Sequence, residues 1–259
     1  MKALSWMLLF LPAAVAAQTA IDPVAASQAR EYRAEGGGKL LYRLLKPADY
    51  DAAKTYPLVL WLHGAGGRGS NNTGQVTDQI EGLRQLANEP VRGKYPCFVL
   101  APQCPEGKRW VDVDWNHGSY SQEKVAITPE LTMVLGALAA VEAEFKIDPT
   151  RRYLVGLSMG GYGTWDLLGR KPEMWAGAIP VCGSGDPSRA AAIAKIPVWA
   201  FHGDKDGVVP VQGSRDMIAA LKAAGGEPKY TECPGVGHDA WNPTFKTAGL
   251  WDWLFAQHR

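Results

Sequence analysis

Residues Tyr153 to Trp165 read YLVGLSMGGYGTW, and within them the pattern G-x-S-x-G spans Gly156, Ser158 and Gly160. An apolar segment typical of a strand precedes this pattern, and a helical pattern follows it. A serine on such a sharp strand-to-helix turn is exposed for reaction, and the turn requires glycines because side chains there would collide with neighbouring backbone. The stretch therefore predicts a strand, a strained turn and a helix, with Ser158 as a nucleophile.

Short apolar segments bounded by Gly, Pro and Asp alternate with helical patterns along the rest of the chain. This alternation is typical of βαβ units, so we expect an α/β fold with a mainly parallel central sheet flanked by helices on both faces. The predicted strands are 40–45, 58–62, 98–101, 153–155, 178–181, 198–201 and 229–232. The predicted helices, besides the one after Ser158, are 128–145, 211–224 and 245–257.

Two carboxylates downstream of Ser158 are candidates for a catalytic acid. A serine hydroxyl needs a base that removes its proton and an acid that orients the base. When a serine lies on this kind of turn, the acid and then the histidine follow it along the chain. Predicted strand 198–201 runs into a loop that contains Asp204 and Asp206, and both carboxylates satisfy this order.

His238 is the predicted base, because it lies in a glycine-rich loop after the last predicted strand, from which it can bend back towards Ser158. Asp239 adjoins it in sequence, so its side chain diverges and we expect a local role. His202 lies on the loop of the acid, where a structural hydrogen bond is the more usual role. The remaining candidate bases are His117 and His258, the latter one residue from the C-terminus.

Serine attack on a carbonyl produces an oxyanion, which needs preorganised hydrogen-bond donors. We expect one donor at the backbone N–H of Met159, directly after the predicted nucleophile. The loop His63-Gly64-Ala65-Gly66-Gly67 follows an early predicted strand, and we assign its Ala65 N–H as the second donor. A phosphate-binding glycine loop is the alternative, but neither G-x-x-x-x-G-K-[ST] nor G-x-G-x-x-G occurs at a strand-to-helix junction.

The segment from Pro105 to Lys124 fits neither a strand nor a helix, and its aromatic residues argue against disorder. Trp110 and Trp115 lie in this segment, and Trp241 lies three residues after His238. We predict that these three indoles form a flat apolar wall that binds substrate. The alternative is that they pack beneath the segment and hold it to the domain.

A length of 259 residues and a formal net charge of +1 restrict the domain count and the partners. One α/β domain is predicted over residues 18–259. Residues 1–17 resemble a cleaved signal peptide, and no later stretch is long and apolar enough to span a bilayer. No block of like charge suits nucleic acid or an anionic membrane. We therefore expect a soluble, secreted or periplasmic protein with neither nucleic acid nor, after cleavage, a membrane as partner.

Four cysteines, Cys97, Cys104, Cys182 and Cys233, remain after this cleavage. An oxidising compartment would permit disulfides, and four cysteines allow three pairings. Cys97 and Cys104 flank the extended stretch FVLAPQ, which holds them too far apart to bridge each other. No Cys or His pair has the close spacing of zinc sites, so we expect no metal.

These residues make the chain similar to α/β-hydrolase serine esterases, close to the secreted feruloyl-esterase and predicted-peptidase group of the dienelactone-hydrolase and prolyl-oligopeptidase clan. The motifs that carry the resemblance are LWLHGAGGRG, VLAPQCP, LVGLSMGGYGTWDL, HGDKDGVVP and GHDAW, from Leu60 to Trp241. In that group the acid is the D of H-G-x-x-D-x-x-V, which implies Asp206 rather than Asp204. The resemblance also implies that there is no metal and no organic cofactor.

The resemblance implies a carboxylic-ester hydrolase that acts through an acyl-enzyme. The expected substrates are small-molecule or polysaccharide-linked esters, either aryl esters of the feruloyl type or acetylated plant polysaccharides. Dienelactone hydrolases proper use a cysteine nucleophile, so Ser158 argues against that activity. The alternatives are a serine peptidase of the prolyl-oligopeptidase-like group, a polyester depolymerase, and a non-catalytic member of the fold, which would require a broken triad.

Overall fold

The computed structural model describes residues 20–259. The predicted signal peptide at residues 1–17 lies outside the described residues. None of the helices within the described range is both long and apolar enough to cross a bilayer.

A sheet of eight strands forms the centre of the described chain, in the order β1-β2-β4-β3-β5-β6-β7-β8. The strands are β1 (Ser27–Arg33), β2 (Lys39–Leu45), β3 (Tyr56–Leu62), β4 (Phe98–Gln103), β5 (Ile147–Leu157), β6 (Gly177–Val181), β7 (Trp199–Gly203) and β8 (Lys229–Cys233). β2 pairs antiparallel with β1 and β4, and every other neighbouring pair is parallel. The carboxyl ends of β3 to β8 therefore meet at one edge of the sheet.

Helices cover both faces of this sheet. They are α1 (Pro23–Ala26), α2 (Glu81–Ala87), α3 (Val91–Lys94), α4 (Pro129–Glu144), α5 (Met159–Arg170), α6 (Ala190–Ile193), α7 (Gln212–Ala223), α8 (Trp241–Thr244) and α9 (Leu250–Phe255). The Thr128 hydroxyl caps α4 by accepting a hydrogen bond from the Leu131 N–H at 3.1 Å. Pro129 occupies the first helical position, so α4 begins where the sequence predicts.

Two apolar cores lie on opposite faces of the sheet because side chains alternate along each strand. On β3, Leu58, Leu60 and Leu62 join the core that contains α4, α5 and α7. Val59 and Trp61 join the core that contains α2 and α9. The predicted fold class, a mainly parallel sheet with helices on both faces, is confirmed.

All seven predicted strands are present. The prediction lacked strand β1 and the short helices α1, α2, α3 and α6, and one predicted helix differs. Strand β1 was not predicted, because it pairs only with β2 at the edge of the sheet and is mostly exposed. The predicted helix 245–257 is wrong as a single element. The chain forms α8 and α9 instead, and Gly249 before α9 has φ of 73°, a left-handed conformation that interrupts a helix.

Candidate active site

Ser158 lies on a sharp turn between β5 and α5. Its φ is 54°, which is rare for a residue other than glycine, and its N–H donates to the Val181 carbonyl at 2.9 Å. A Cβ at Gly156 would lie 2.3 Å from the Gly160 carbonyl oxygen, and one at Gly160 would lie 1.9 Å from the Leu62 carbonyl oxygen. The turn therefore requires glycine at both positions, as the sequence pattern indicated.

The structure brings Ser158, His238 and Asp206 into one chain of hydrogen bonds. Ser158 Oγ lies 2.8 Å from His238 Nε2, and His238 Nδ1 lies 2.8 Å from Asp206 Oδ2. An ionised carboxylate only accepts hydrogen bonds, so the ring proton lies on Nδ1 and Nε2 is free to accept the serine proton. The three residues follow β5, β8 and β7, whose carboxyl ends lie at the same edge.

The Asp206 carboxylate is buried and fully hydrogen-bonded. Its Oδ1 accepts from the N–H groups of Val208 at 2.8 Å and Val209 at 2.9 Å, and its Oδ2 lies 3.2 Å from His202 Nε2. Burial alone would raise its pKa, but the hydrogen bonds from His202, His238 and the backbone outweigh burial and hold the pKa well below its usual range. Asp206 is thus ionised beside the imidazole.

The rival acid and the rival base on the same loop have structural partners. Asp204 Oδ1 accepts a hydrogen bond from the Gly235 N–H at 2.6 Å, so this carboxylate joins the loops after β7 and β8. His202 is fully buried, and its Nδ1 lies 2.8 Å from Ser214 Oγ. Within residues 20–259, neither side chain is hydrogen-bonded to Ser158 or His238. His117 and His258 are exposed.

The two predicted oxyanion donors lie at the ends of neighbouring strands. Leu62 of β3 is in register with Gly156 of β5, so the segments after them leave the sheet side by side. Met159 is the first residue of α5, and Ala65 is the first residue of a 3-10 helix, Ala65–Gly67. The N–H at a first helical position has no acceptor within its own helix. Both groups are therefore available to a developing negative charge.

His63, which the sequence analysis did not single out, fixes the loop that contains Ala65. Its Nε2 accepts a hydrogen bond from the Cys104 N–H at 3.0 Å, and its Nδ1–H donates to the Gly64 carbonyl. Burial lowers the pKa of His63 to about 4, so its ring is neutral. A histidine directly after a buried strand is the only signal that the sequence offered for this role.

Trp110 does not line a surface, and its predicted role in substrate binding does not agree with the structure. The side chain is 0% exposed, and its Nε1–H donates to the His63 carbonyl at 3.1 Å. Its ring also packs edge-on against the His63 ring, with centroids 5.2 Å apart. A buried indole satisfies its N–H with a backbone acceptor, so Trp110 holds the loop from below.

Trp115 contacts helix α5, and Trp241 contacts His238. The Trp115 carbonyl accepts a hydrogen bond from the Tyr162 hydroxyl at 2.9 Å, which ties it to the first turns of α5. Two guanidinium groups lie over the half-buried Trp115 ring, that of Arg109 at 4.9 Å and that of Arg68 at 5.9 Å from the ring centre. Trp241 packs edge-on against His238, with ring centroids 5.4 Å apart, but it is only 9% exposed.

The four cysteines are unpaired and buried. Cys97 and Cys104 flank β4 at opposite ends, so their extended separation agrees with the sequence argument. Within residues 20–259, one group of three potential metal ligands occurs, formed by Cys182, Asp206 and His238.

Comparison with known proteins agrees with this geometry. The sheet order, the strained turn at Ser158 and the matches below define a member of the α/β-hydrolase fold. The sequence profile described as "Putative esterase" matches residues 36–253, and the chain belongs to this family.

Three relatives illustrate the match. A solved structure of a thermostable esterase is 36% identical with a TM-score of 0.80, over 90% of this chain and 64% of that chain. Putative esterase NocK of Nocardia uniformis subsp. tsuyamanensis is 26% identical over 225 residues, which are 84% of this chain and 57% of NocK. Probable feruloyl esterase C of Aspergillus niger is 26% identical over 212 residues, which are 78% of this chain and 68% of that protein. The chain thus spans little more than half of NocK.

Proposed function

We propose that the protein is a secreted carboxylic-ester hydrolase in which Ser158, His238 and Asp206 form a catalytic triad. The observation that carries the proposal is the pair of 2.8 Å hydrogen bonds that joins the three side chains in this order. Family membership supplies the ester chemistry, and the hydrogen bonds supply a route for the serine proton.

The reaction proceeds through an acyl-enzyme. His238 Nε2 removes the Ser158 proton as Oγ attacks the ester carbonyl, and the N–H groups of Met159 and Ala65 stabilise the oxyanion. The protonated imidazole then gives its proton to the leaving alcohol. Asp206 stabilises the imidazolium throughout, because its carboxylate is ionised and already bonded to Nδ1. Water, activated by His238 in the same way, releases the acid and regenerates Ser158.

The substrate class we favour is an aryl ester of the feruloyl type, with acetylated plant polysaccharides second. Two observations support an aromatic acyl group: the resemblance to probable feruloyl esterase C and the position of Trp115 beside α5. The Arg68 and Arg109 guanidinium groups lie over the Trp115 ring. A stacked acyl group must therefore displace one of them or contact the ring edge, and the two cations also favour acyl groups that carry a polar or anionic substituent.

Secretion is part of the proposal and rests on residues 1–17 of the sequence. The expected mature protein begins near Gln18 and is recovered from the medium or the periplasm. N-terminal sequencing of the exported protein tests this, and an intact Met1 in a cytoplasmic fraction would contradict it.

Substitution of Ser158 tests the mechanism. We expect Ser158→Ala to lower turnover of p-nitrophenyl acetate on the order of 10⁶-fold while the protein stays folded, since a triad without its nucleophile retains only residual catalysis. Ser119→Ala is the control, because Ser119 Oγ bonds Asp216 rather than the triad. Near wild-type turnover in Ser158→Ala would show that Ser158 is not the nucleophile.

The substrate is tested on the wild type with methyl ferulate, acetylated xylan, p-nitrophenyl esters and a peptide anilide. We expect hydrolysis of the esters, with the highest kcat/KM for methyl ferulate. Preferential cleavage of the anilide would favour the peptidase alternative.

A further inference from the structure

Cys182 lies directly behind the candidate triad. It follows β6, and its φ of 39° is a left-handed conformation that residues other than glycine rarely adopt. Its N–H donates to the Phe201 carbonyl of β7 at 2.8 Å, which fixes its position between two strands. The side chain is completely buried, and no step of the proposed mechanism uses its thiol.

Three chemically different ligand atoms converge at this point. One ligand atom each from Cys182, Asp206 and His238 lies within 4.8 Å of the other two. Thiolate, carboxylate and imidazole are the groups that bind zinc, and tetrahedral ligands at zinc bond lengths are about 3.3 to 3.6 Å apart. To hold such an ion, His238 Nδ1 and Asp206 Oδ2, now 2.8 Å apart, must separate by about 0.5 Å, and the longest of the three separations must close by at most about 1.5 Å. Among the described residues, the other three cysteines belong to no such group.

We propose that Cys182, Asp206 and His238 form an inhibitory site for a divalent cation of the zinc type. Inhibition, though not binding, rests on the proposed function of the triad. The ion enters from the side of His238, because that side chain is 21% exposed whereas the Asp206 side chain is fully covered. Three protein ligands leave a fourth position for water, as in open zinc sites.

Binding exchanges one proton for the metal. Burial raises the pKa of the Cys182 thiol, so the thiol is protonated before the ion arrives. The metal–sulfur bond forms as this proton passes to solvent. His238 and Asp206 bind through lone pairs. Where Nδ1 of His238 is the ligand, its proton moves to Nε2 and the hydrogen bond to Asp206 breaks; where Nε2 is the ligand, Nδ1 keeps its proton. No electron is transferred, and the charge of the site rises by one unit.

Inhibition follows from the loss of the base. A neutral imidazole has one nitrogen that accepts a proton. If Nε2 of His238 binds the ion, its lone pair is used directly. If Nδ1 binds, the ring proton lies on Nε2. In both cases Nε2 cannot accept the proton of Ser158, and the ester is not attacked.

Zinc inhibition of the whole enzyme tests this site. Hydrolysis of p-nitrophenyl acetate is measured at increasing Zn²⁺ for the wild type, Cys182→Ala and Cys97→Ala, each relative to its own rate in chelator. Cys97 is the matched control. It is also a buried thiol, but it lies directly before β4, at the amino ends of the parallel strands, whereas the triad lies at their carboxyl ends.

We expect Zn²⁺ to inhibit the wild type and Cys97→Ala equally. In Cys182→Ala the inhibition constant for Zn²⁺ should rise more than about 100-fold. Loss of a residue that only hydrogen-bonds a metal ligand already lowers metal affinity about 10 to 100-fold, and loss of a ligand itself costs more. Failure of Zn²⁺ to inhibit the wild type overturns the proposal. Equal inhibition of Cys182→Ala does so too, because the ion would then act without the thiol.

A direct binding measurement separates this site from the proposed function. Cd²⁺ is titrated into Ser158→Ala, which retains all three ligands, and binding is followed by thiolate-to-metal charge-transfer absorption. We expect this absorption in Ser158→Ala, and we expect no such absorption in the double variant that carries both Ser158→Ala and Cys182→Ala. No absorption in Ser158→Ala overturns the site, whereas full esterase activity of Ser158→Ala overturns only the triad. If Cys182→Ala does not fold, Cys182→Gly replaces it, because glycine tolerates the positive φ.

Discussion

The turn at Ser158 and the segment from Pro105 to Lys124 leave the same edge of the sheet, yet different interactions fix them. The turn is fixed by its immediate neighbours, because a strand, a helix and two glycines leave its backbone one conformation. The segment has no strand or α-helix, only a 3-10 turn at Trp115–His117. Contacts with residues far away in sequence hold it in place.

These distant contacts explain why two tryptophans in one segment have different environments. Trp110 is bonded to the His63 carbonyl and is covered completely, whereas Trp115 is half-buried and lies under two guanidinium groups. Farther along, the Tyr120 hydroxyl donates to Asp166 Oδ1 of α5 at 2.8 Å. Sequence pattern therefore determines the turn, whereas tertiary packing determines how far each aromatic residue of the segment is exposed.

The largest difference between the two regions is expected at Asp206, the candidate acid beside the turn. Asp206→Asn should lower turnover by about 10⁴-fold, because an amide does not hold the histidine in the required tautomer. Asp204→Asn is the matched control. The Asp204 carboxylate accepts a hydrogen bond from the Gly235 N–H and, within residues 20–259, bonds neither Ser158 nor His238, so this substitution should cost far less turnover. Steady-state kinetics with p-nitrophenyl acetate measures both. The reverse order would assign the acid to Asp204.

A second prediction concerns Trp110, the buried tryptophan of the segment from Pro105 to Lys124. Trp110→Ala should lower the free energy of unfolding by about 3 to 5 kcal/mol, the usual cost of emptying a buried indole site. Trp110→Phe keeps most of the packing and loses the bond to the His63 carbonyl, which should cost about 1 to 2 kcal/mol. Urea denaturation measures both variants. A loss below about 1 kcal/mol in Trp110→Ala would show that Trp110 does not anchor the segment.

The sequence predicted elements whose determinants are local. Gly156, Ser158 and Gly160 define the turn through steric limits on a few backbone atoms, and alternating apolar residues define β3 between its two cores. It left open whether Trp110 binds substrate or packs beneath the segment, because its burial depends on a hydrogen bond to His63, which lies 47 positions away in the chain. Edge strand β1 was missed for a related reason: its pairing with β2 leaves little apolar pattern.

The third prediction concerns the buried His63, whose carbonyl accepts the Trp110 hydrogen bond and so joins the segment to the loop that contains Ala65. Burial lowers its pKa from 6.5 to about 4. Between these values the unfolded chain binds a proton at this position and the folded protein does not. The free energy of unfolding therefore falls as pH falls through this window, and is about 2 kcal/mol lower at pH 5 than at pH 7 from this group alone.

Urea denaturation at the two pH values measures this effect. His63→Gln keeps a hydrogen-bond donor and an acceptor but has no proton to gain, so this part of the pH dependence should disappear. An identical pH dependence in wild type and variant would show that His63 takes up a proton as readily in the folded protein as in the unfolded chain, and would contradict a neutral, buried His63 that fixes the loop.

The smallest effect is expected at Trp115, the aromatic residue of the segment that remains partly exposed. Trp115→Ala should lower kcat/KM for methyl ferulate about tenfold, because stacking and edge contacts contribute ~0.5 to 1.5 kcal/mol beyond area burial. Hydrolysis of p-nitrophenyl acetate should change little, since its small acyl group does not extend to the indole. The ratio of the two kcat/KM values is the measurement.

Trp115→Phe separates contact with substrate from support of the segment. A phenyl ring retains an aromatic surface for the acyl group and for the Arg109 and Arg68 guanidinium groups. It should therefore recover most of the rate for methyl ferulate. Equal losses on both esters in Trp115→Ala, together with a lower Tm, would mean that Trp115 supports the segment as Trp110 does. The difference between the two tryptophans would then lie in exposure and not in role.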